Sequence, residues 1–268
     1  METNRHVAEG RPTDLRLAFP TMGRETMLLL LTCAAGSVDA ISYLGLGHVF
    51  TAMMTGNTVL LGLAIGQRHA LAALRSVLAL GGFGGGVAMG AAIVQRGRRQ
   101  GAWPPAVTRA LALEGSLLAI FALIWGLTDS ARGEVIVDGL IALSGLAMGI
   151  QSAAVQHLGV PGVMTTYITG TLTSLVAGLV SRVRSVDAPS SPAGSIGNLA
   201  GPASPSVQPG HRVGLLAAVF LMYGLGASAG GVLLVRSPSS VALLPLVAVV
   251  VVTVNAAVRQ QLQCSAGK

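Results

Sequence analysis

The chain has 268 residues, of which 52% are apolar and only 10% charged, with 36 glycines and a mean hydropathy of +0.70. A water-soluble domain carries roughly a quarter of its residues as Asp, Glu, Lys and Arg, so this composition excludes a soluble enzyme, a disulfide scaffold and a disordered chain, and points to a bilayer. The net charge of +7 is paired with only 4% aromatic residues, which argues against a nucleic-acid surface and for basic cytoplasmic loops.

The basic stretch 1–26, with Arg5, Arg11, Arg16 and Arg24, reads as a cytoplasmic tail. The apolar run after it is long and has no clear cleavage site, so it is expected to be an uncleaved first span. A spanning helix needs about 20 mostly apolar residues. Eight helical segments are predicted: Met27–Gly47, Phe50–Gly66, Ala70–Val94, Ala110–Leu127, Val135–Gly159, Val163–Val180, Val213–Val235 and Val241–Val258. The expected fold is an all-α polytopic membrane bundle. Residues 181–212, with Pro189, Pro192, Pro202, Pro205 and Pro209 among serines and glycines, read as a flexible linker, and 259–268 as a C-terminal tail. Cys33 and Cys264 lie too far apart in sequence and expected depth for a bridge or a zinc cluster.

The bundle divides into two related halves, 27–127 and 135–258. Sliding the chain by 114 positions sets Ala40–Leu61 over Ala154–Leu175 with eight identities in 22 pairs, where biased composition alone gives roughly two or three. The element Thr-x-x-x-Thr-Gly recurs in place, as Thr51 to Gly56 and Thr165 to Gly170. Such duplication is common in transporters. If all eight segments cross, Lys and Arg divide 12 inside to 5 outside, leaving Arg96, Arg98, Arg99 and Arg109 outside; if the second and sixth dip in and return, the division is 13 to 4 with that cluster inside. Six or eight crossings, and inverted or parallel halves, stay open. Both arrangements put the termini in the cytoplasm.

Asp39 is the sharpest exception to hydropathy. An ionised carboxylate at the bilayer centre costs at least ~3 kcal/mol, so it must be paired, hydrated or protonated. It is either a proton or cation site or a bridge between helices, with Ser37, Ser42 or Thr55 as donors. The slide of 114 pairs Asp39 with Ala153 and Ser37 with Gln151, so the acid belongs to one half only. Thr55, Gly56 and Asn57, with Thr58, form a predicted helix break in which glycine frees the backbone and the polar side chains satisfy it; Thr169, Gly170 and Thr171 repeat it. Small residues at this spacing also serve close helix packing. His157, near a segment end, is expected to cap or to sit at the interface. Glu114 and Arg75 lie close enough to segment ends to snorkel, or pair with each other.

The run Gly81 to Gly86 has neither a preceding strand nor a following Lys-Ser/Thr and is expected to pack helices rather than hold phosphate; Gly224, Gly226, Gly230 and Gly231 do the same in the seventh segment. No metal-binding, thiol-redox or serine-hydrolase motif occurs, so neither an enzyme nor a cofactor is expected.

Two stretches carry a resemblance. Ala35-Gly36-Ser37-Val38-Asp39-Ala40-Ile41-Ser42-Tyr43 through Met54-Thr55-Gly56-Asn57-Thr58 resembles the first signature of the YoaK-like family of bacterial integral membrane proteins, a domain of unknown function. Gly149-Ile150-Gln151-Ser152-Ala153-Ala154 followed by Thr165 to Thr173 resembles its second. The resemblance implies a polytopic inner-membrane protein and names no substrate.

The expected function is a secondary transporter or permease for a small solute, with Asp39, Thr55, Gly56, Asn57, Gln151, Thr169, Gly170 and Thr171 at the solute or proton site. The alternative is a scaffold that binds lipid or a protein partner. Small-residue faces also make a homodimer an expectation.

Overall fold

A computed structural model describes residues 22–96, 103–128, 132–159, 168–187 and 209–266. These form eight helices: α1 (Arg24–Gly45), α2 (Met54–Gly66), α3 (Ala70–Gln95), α4 (Pro105–Leu127), α5 (Glu134–Leu158), α6 (Ile168–Asp187), α7 (Pro209–Arg236) and α8 (Leu243–Ala266). The tails and the linker are shorter than expected. Helix α1 starts inside 1–26, and α8 runs through most of 259–268. Helix α6 continues to Asp187 because the first proline comes only at Pro189, and α7 starts at Pro209, a residue suited to a helix's first turn. What remains of the linker, 188–208, lies outside the described residues. Helix α4 likewise opens on a proline, Pro105, five residues before its expected start.

Six helices are long and apolar enough to cross a membrane: α1, α3, α4, α5, α7 and α8. The 13 residues of α2 rise only about 20 Å, against a hydrocarbon core of about 30 Å. The apolar part of α6, Thr169–Val180, is also short. Two clusters of buried side chains mark the ends of the bundle. The first end gathers Met27 and Leu28 from α1, Val94 from α3, Val107 from α4, Val155 from α5, Leu216 from α7 and Ala256 from α8. The second end gathers Ile41, Ala79, Trp125, Val137 and Val241. Helices α1, α4 and α7 therefore run one way, and α3, α5 and α8 the other.

Helix α2 ends at Gly66, and a tight turn through Arg68, in left-handed conformation at φ 58°, feeds α3 at the second end. The chain from Leu46 to Gly66 thus enters the bundle and returns to the same end. This is the hairpin alternative for the second segment.

The closest crossings are α1 on α7 and α3 on α5. Glycine makes both possible. A methyl group at Gly36 would overlap the Tyr223 carbonyl, and one at Gly149 the Phe83 carbonyl. Without Cβ atoms the backbones touch, and packing attraction rather than water exclusion holds the pair. Two further contacts match across the halves, α2–α3 mirrored by α6–α7 and α4–α5 by α8–α1, whereas α3–α4 has no comparable α7–α8 contact. Burial recurs at the same spacing: Met27, Leu28, Leu31, Ala34 and Gly36 in α1, against Leu140, Ile141, Ser144, Ala147 and Gly149 in α5. In α3, Ser76, Ala79, Gly86 and Gly90 match Leu216, Val219, Gly226 and Gly230 of α7. This register is one residue short of the 114-position slide. It matches Asp39 to Ser152 rather than Ala153, and Gln151 to Val38 rather than Ser37. A chain so rich in Ala, Gly, Leu and Val tolerates a one-residue slip in an alignment; touching backbones do not.

Candidate functional site

The site is built where α1 ends. The N–H of Leu46 closes the helix on the Ser42 carbonyl at 2.9 Å, and Gly47 and His48 then take left-handed conformations, φ 88° and 64°. That reverses the chain, so residues 49–53 run back alongside the last turns of α1. Asp39, 3% exposed, meets them there. Its Oδ1 accepts the backbone N–H groups of Thr51 and Ala52, each at 2.7 Å. Its Oδ2 accepts the Tyr223 hydroxyl from α7. The Ser42 and Thr51 hydroxyls bond at 2.9 Å and close the flank.

Asn57 does the same for Phe50. The Phe50 N–H donates to Asn57 Oδ1 at 2.9 Å, and Asn57 Nδ2 donates back to the Phe50 carbonyl. One amide thus satisfies both backbone groups of a residue outside any helix, which unpaired would each cost about 1–3 kcal/mol. The Phe50 ring stacks on Tyr43, centroids 5.0 Å apart. It also lies over Gly56, where a Cβ would stand 2.9 Å from the ring. Gly56 is helical. Its role is to seat the ring, not to break the helix as the sequence led one to expect; the left-handed break lies upstream, at Gly47 and His48.

Asp39 and Asn57 therefore come together on one hairpin. Thr55 does not join them, since its side chain is exposed. Nor do the expected donors supply Asp39: Ser37 bonds the Ala34 carbonyl, and Ser42 reaches Val38 and Thr51. Gln151 is buried and donates to the Leu31 carbonyl at 3.1 Å, tying α5 to α1. Thr169, Gly170 and Thr171 form the first turn of α6, exposed, half-buried and buried in turn. Thr165 and Thr166 lie outside the described residues. The residue missed in the sequence is Tyr223. Gly226, three residues on, hinted that α7 approaches another helix closely, but not which one.

Arg75 pairs with Asp138 of α5 at 3.1 Å, not with Glu114. His157 sits half-buried in the last turn of α5 and, with Gln95 and Gln156, lines a cavity of about 450 Å³ between α3 and α5. Among the described residues no group of His, Cys, Asp and Glu could hold a metal ion.

The site therefore organises backbone more than it displays free polar groups. Three hydrogen bonds to one carboxylate, at about 1.5–3 kcal/mol each, offset the insertion cost of at least ~3 kcal/mol. At the matching place in the other half stand Ser152 and Phe83, a hydroxyl for the acid and a ring without a hydroxyl for Tyr223. The polar pair exists once.

Residues 27–256, which contain the hairpin and Tyr223, match the family described as protein of unknown function (DUF1275). The chain belongs to this family. It is also 46% identical over 160 residues to the UPF0700 transmembrane protein YoaK of Bacillus subtilis (strain 168), covering 60% of this chain and 69% of that one. No solved structure matches the chain. Membership of DUF1275 and likeness to a transmembrane protein agree with the six apolar helices: this is a multi-pass membrane protein.

Proposed function

We propose that this DUF1275 protein is a secondary transporter or permease for a small solute, made of two inverted halves that descend from one duplicated unit. The observation that carries the reading is the hairpin. Non-helical backbone at membrane depth occurs where it is buried in protein or lines a polar cavity, and in transporters it marks the solute site between repeats. Here residues 46–53 are such a backbone, held by Asp39, Tyr223 and Asn57 in front of a short helix. The recurring burial and the antiparallel run of α1 and α5 support the inverted duplication.

In this reading Asp39 is the coupling group. Gaining a proton or a cation weakens its hold on Thr51 and Ala52, which loosens the hairpin. Thr55 and Thr169 offer hydroxyls to the solute, and Gln151 joins the halves. The hairpin arrangement divides Lys and Arg 13 to 4 in favour of the first end, which supports a plasma (inner) membrane protein with that end and both termini in the cytoplasm. The reading uses no enzyme chemistry and no cofactor.

The second reading, a non-transporting scaffold, is favoured by one observation: both oxygens of Asp39 are already engaged. Uptake separates the two. A thermal-shift screen of small solutes selects binders, which are then offered to proteoliposomes under a proton gradient. Transport predicts uptake that Asp39→Asn abolishes while the protein still inserts and folds. A scaffold predicts no uptake of any binder, with Asp39→Asn altering only folding yield.

A further inference from the structure

Glu114 is the buried acid that the hairpin leaves unused. It is the tenth residue of α4, about 14 Å along a helix that must cross about 30 Å of hydrocarbon. It is fully buried, and neither carboxyl oxygen has a hydrogen-bond partner among the described residues. Asp39, by contrast, has three donors. Native proteins rarely bury a polar group without a partner, and such exceptions call for an explanation in function.

Packing does not supply that explanation. Helix α4 buries Val107, Leu111, Glu114 and Leu118, while α8 buries Pro245, Val249, Val252 and Ala256 at the same spacing. Where α4 has the acid, α8 fills the place with a valine. Nor does a counter-charge supply it. Helix α4 packs on α3, α5 and α8, whose charged or titratable residues are Arg75, Glu134, Asp138, His157, Arg259 and, in the last turn of α8, Cys264, with Arg96 just past α3 and Arg109 on α4 itself. Arg75 and Asp138 bond each other toward the second end. Among the described side chains, none of these hydrogen-bonds either oxygen of Glu114.

We propose that Glu114 is an intramembrane proton-binding site, separate from the hairpin. In the arrangement described it holds its proton as a neutral carboxyl among apolar side chains. It releases the proton to water only when α4 moves against α5 and α8 and admits solvent. The site needs no solute, so it stands or falls independently of transport.

The test uses the full-length protein in liposomes near neutral pH. Dicyclohexylcarbodiimide reacts with undissociated carboxyls in apolar surroundings: the O–H adds across one N=C bond, and the adduct rearranges to a stable N-acylurea with nothing lost. Peptide mass spectrometry is expected to find the gain of one carbodiimide at Glu114, lost in Glu114→Gln and kept in Asp39→Asn. Infrared spectra of the same samples are expected to contain an undissociated-carboxyl band that Glu114→Gln removes. Glu114→Val is expected to fold and to melt no lower than the natural chain, while losing both signatures. An unmodified Glu114 together with an infrared spectrum unchanged by Glu114→Gln overturns the proposal, as does an adduct confined to Asp39.

Discussion

Asp39 holds backbone, and that determines what its loss costs. Asp39→Ala leaves two buried N–H groups and a phenol without an acceptor, an expected loss of about 2–5 kcal/mol. Asp39→Asn keeps one carbonyl oxygen for Thr51 and Ala52 and loses less; thermal unfolding in detergent ranks the two. Tyr223→Phe removes one donor and is expected to cost about 1–3 kcal/mol on the same measurement. A Tyr223→Phe protein as stable as the natural chain would remove α7 from the site. The acid was legible in the sequence as an exception to hydropathy, but its partners were not. Two are backbone groups, which no list of polar side chains contains, and the third lies on α7, 184 positions away. Glu114 was misjudged for a different reason. With α4 expected to start at Ala110 it sat within reach of the interface; Pro105 adds more than a turn and buries it.

At the scale of the element, the glycines of α3 divide by what faces them. A methyl group at Gly86 would overlap the Leu146 carbonyl of α5, whereas one at Gly84 meets nothing within 4 Å. Gly86→Ala is therefore expected to cost about 1–3 kcal/mol through overpacking. Gly84→Ala, two residues away, is expected to gain about 0.5–1 kcal/mol from helix propensity. Melting temperatures that move together would contradict the close crossing. That glycines of the third and seventh segments pack helices was readable from composition, but not which ones: Gly82, Gly86, Gly226 and Gly230 meet neighbouring backbone, whereas Gly81, Gly84 and Gly224 meet nothing within 4 Å. The second helix was not readable. Its apolar run of 17 residues from Phe50 nearly spans a bilayer, and only the reversal at Gly47 and His48, with Asn57 folded onto Phe50, separates the returning strand from the helix.

For the whole molecule, sequence alone placed the chain in a membrane as a two-part helical bundle, yet it could not choose between six and eight crossings because one basic residue separated the two. Helix directions favour six crossings, and with them the hairpin and the inverted halves proposed above. The most direct test places single cysteines, Thr26→Cys, Gln67→Cys and Arg96→Cys, in a chain in which Cys33 and Cys264 are replaced by serine. Labelling with a membrane-impermeant maleimide from each side of sealed vesicles is expected to put 26 and 96 on one side and 67 on the other. Labelling that puts 26 and 67 together, opposite 96, would mean that α2 crosses the membrane, and the hairpin account would fail.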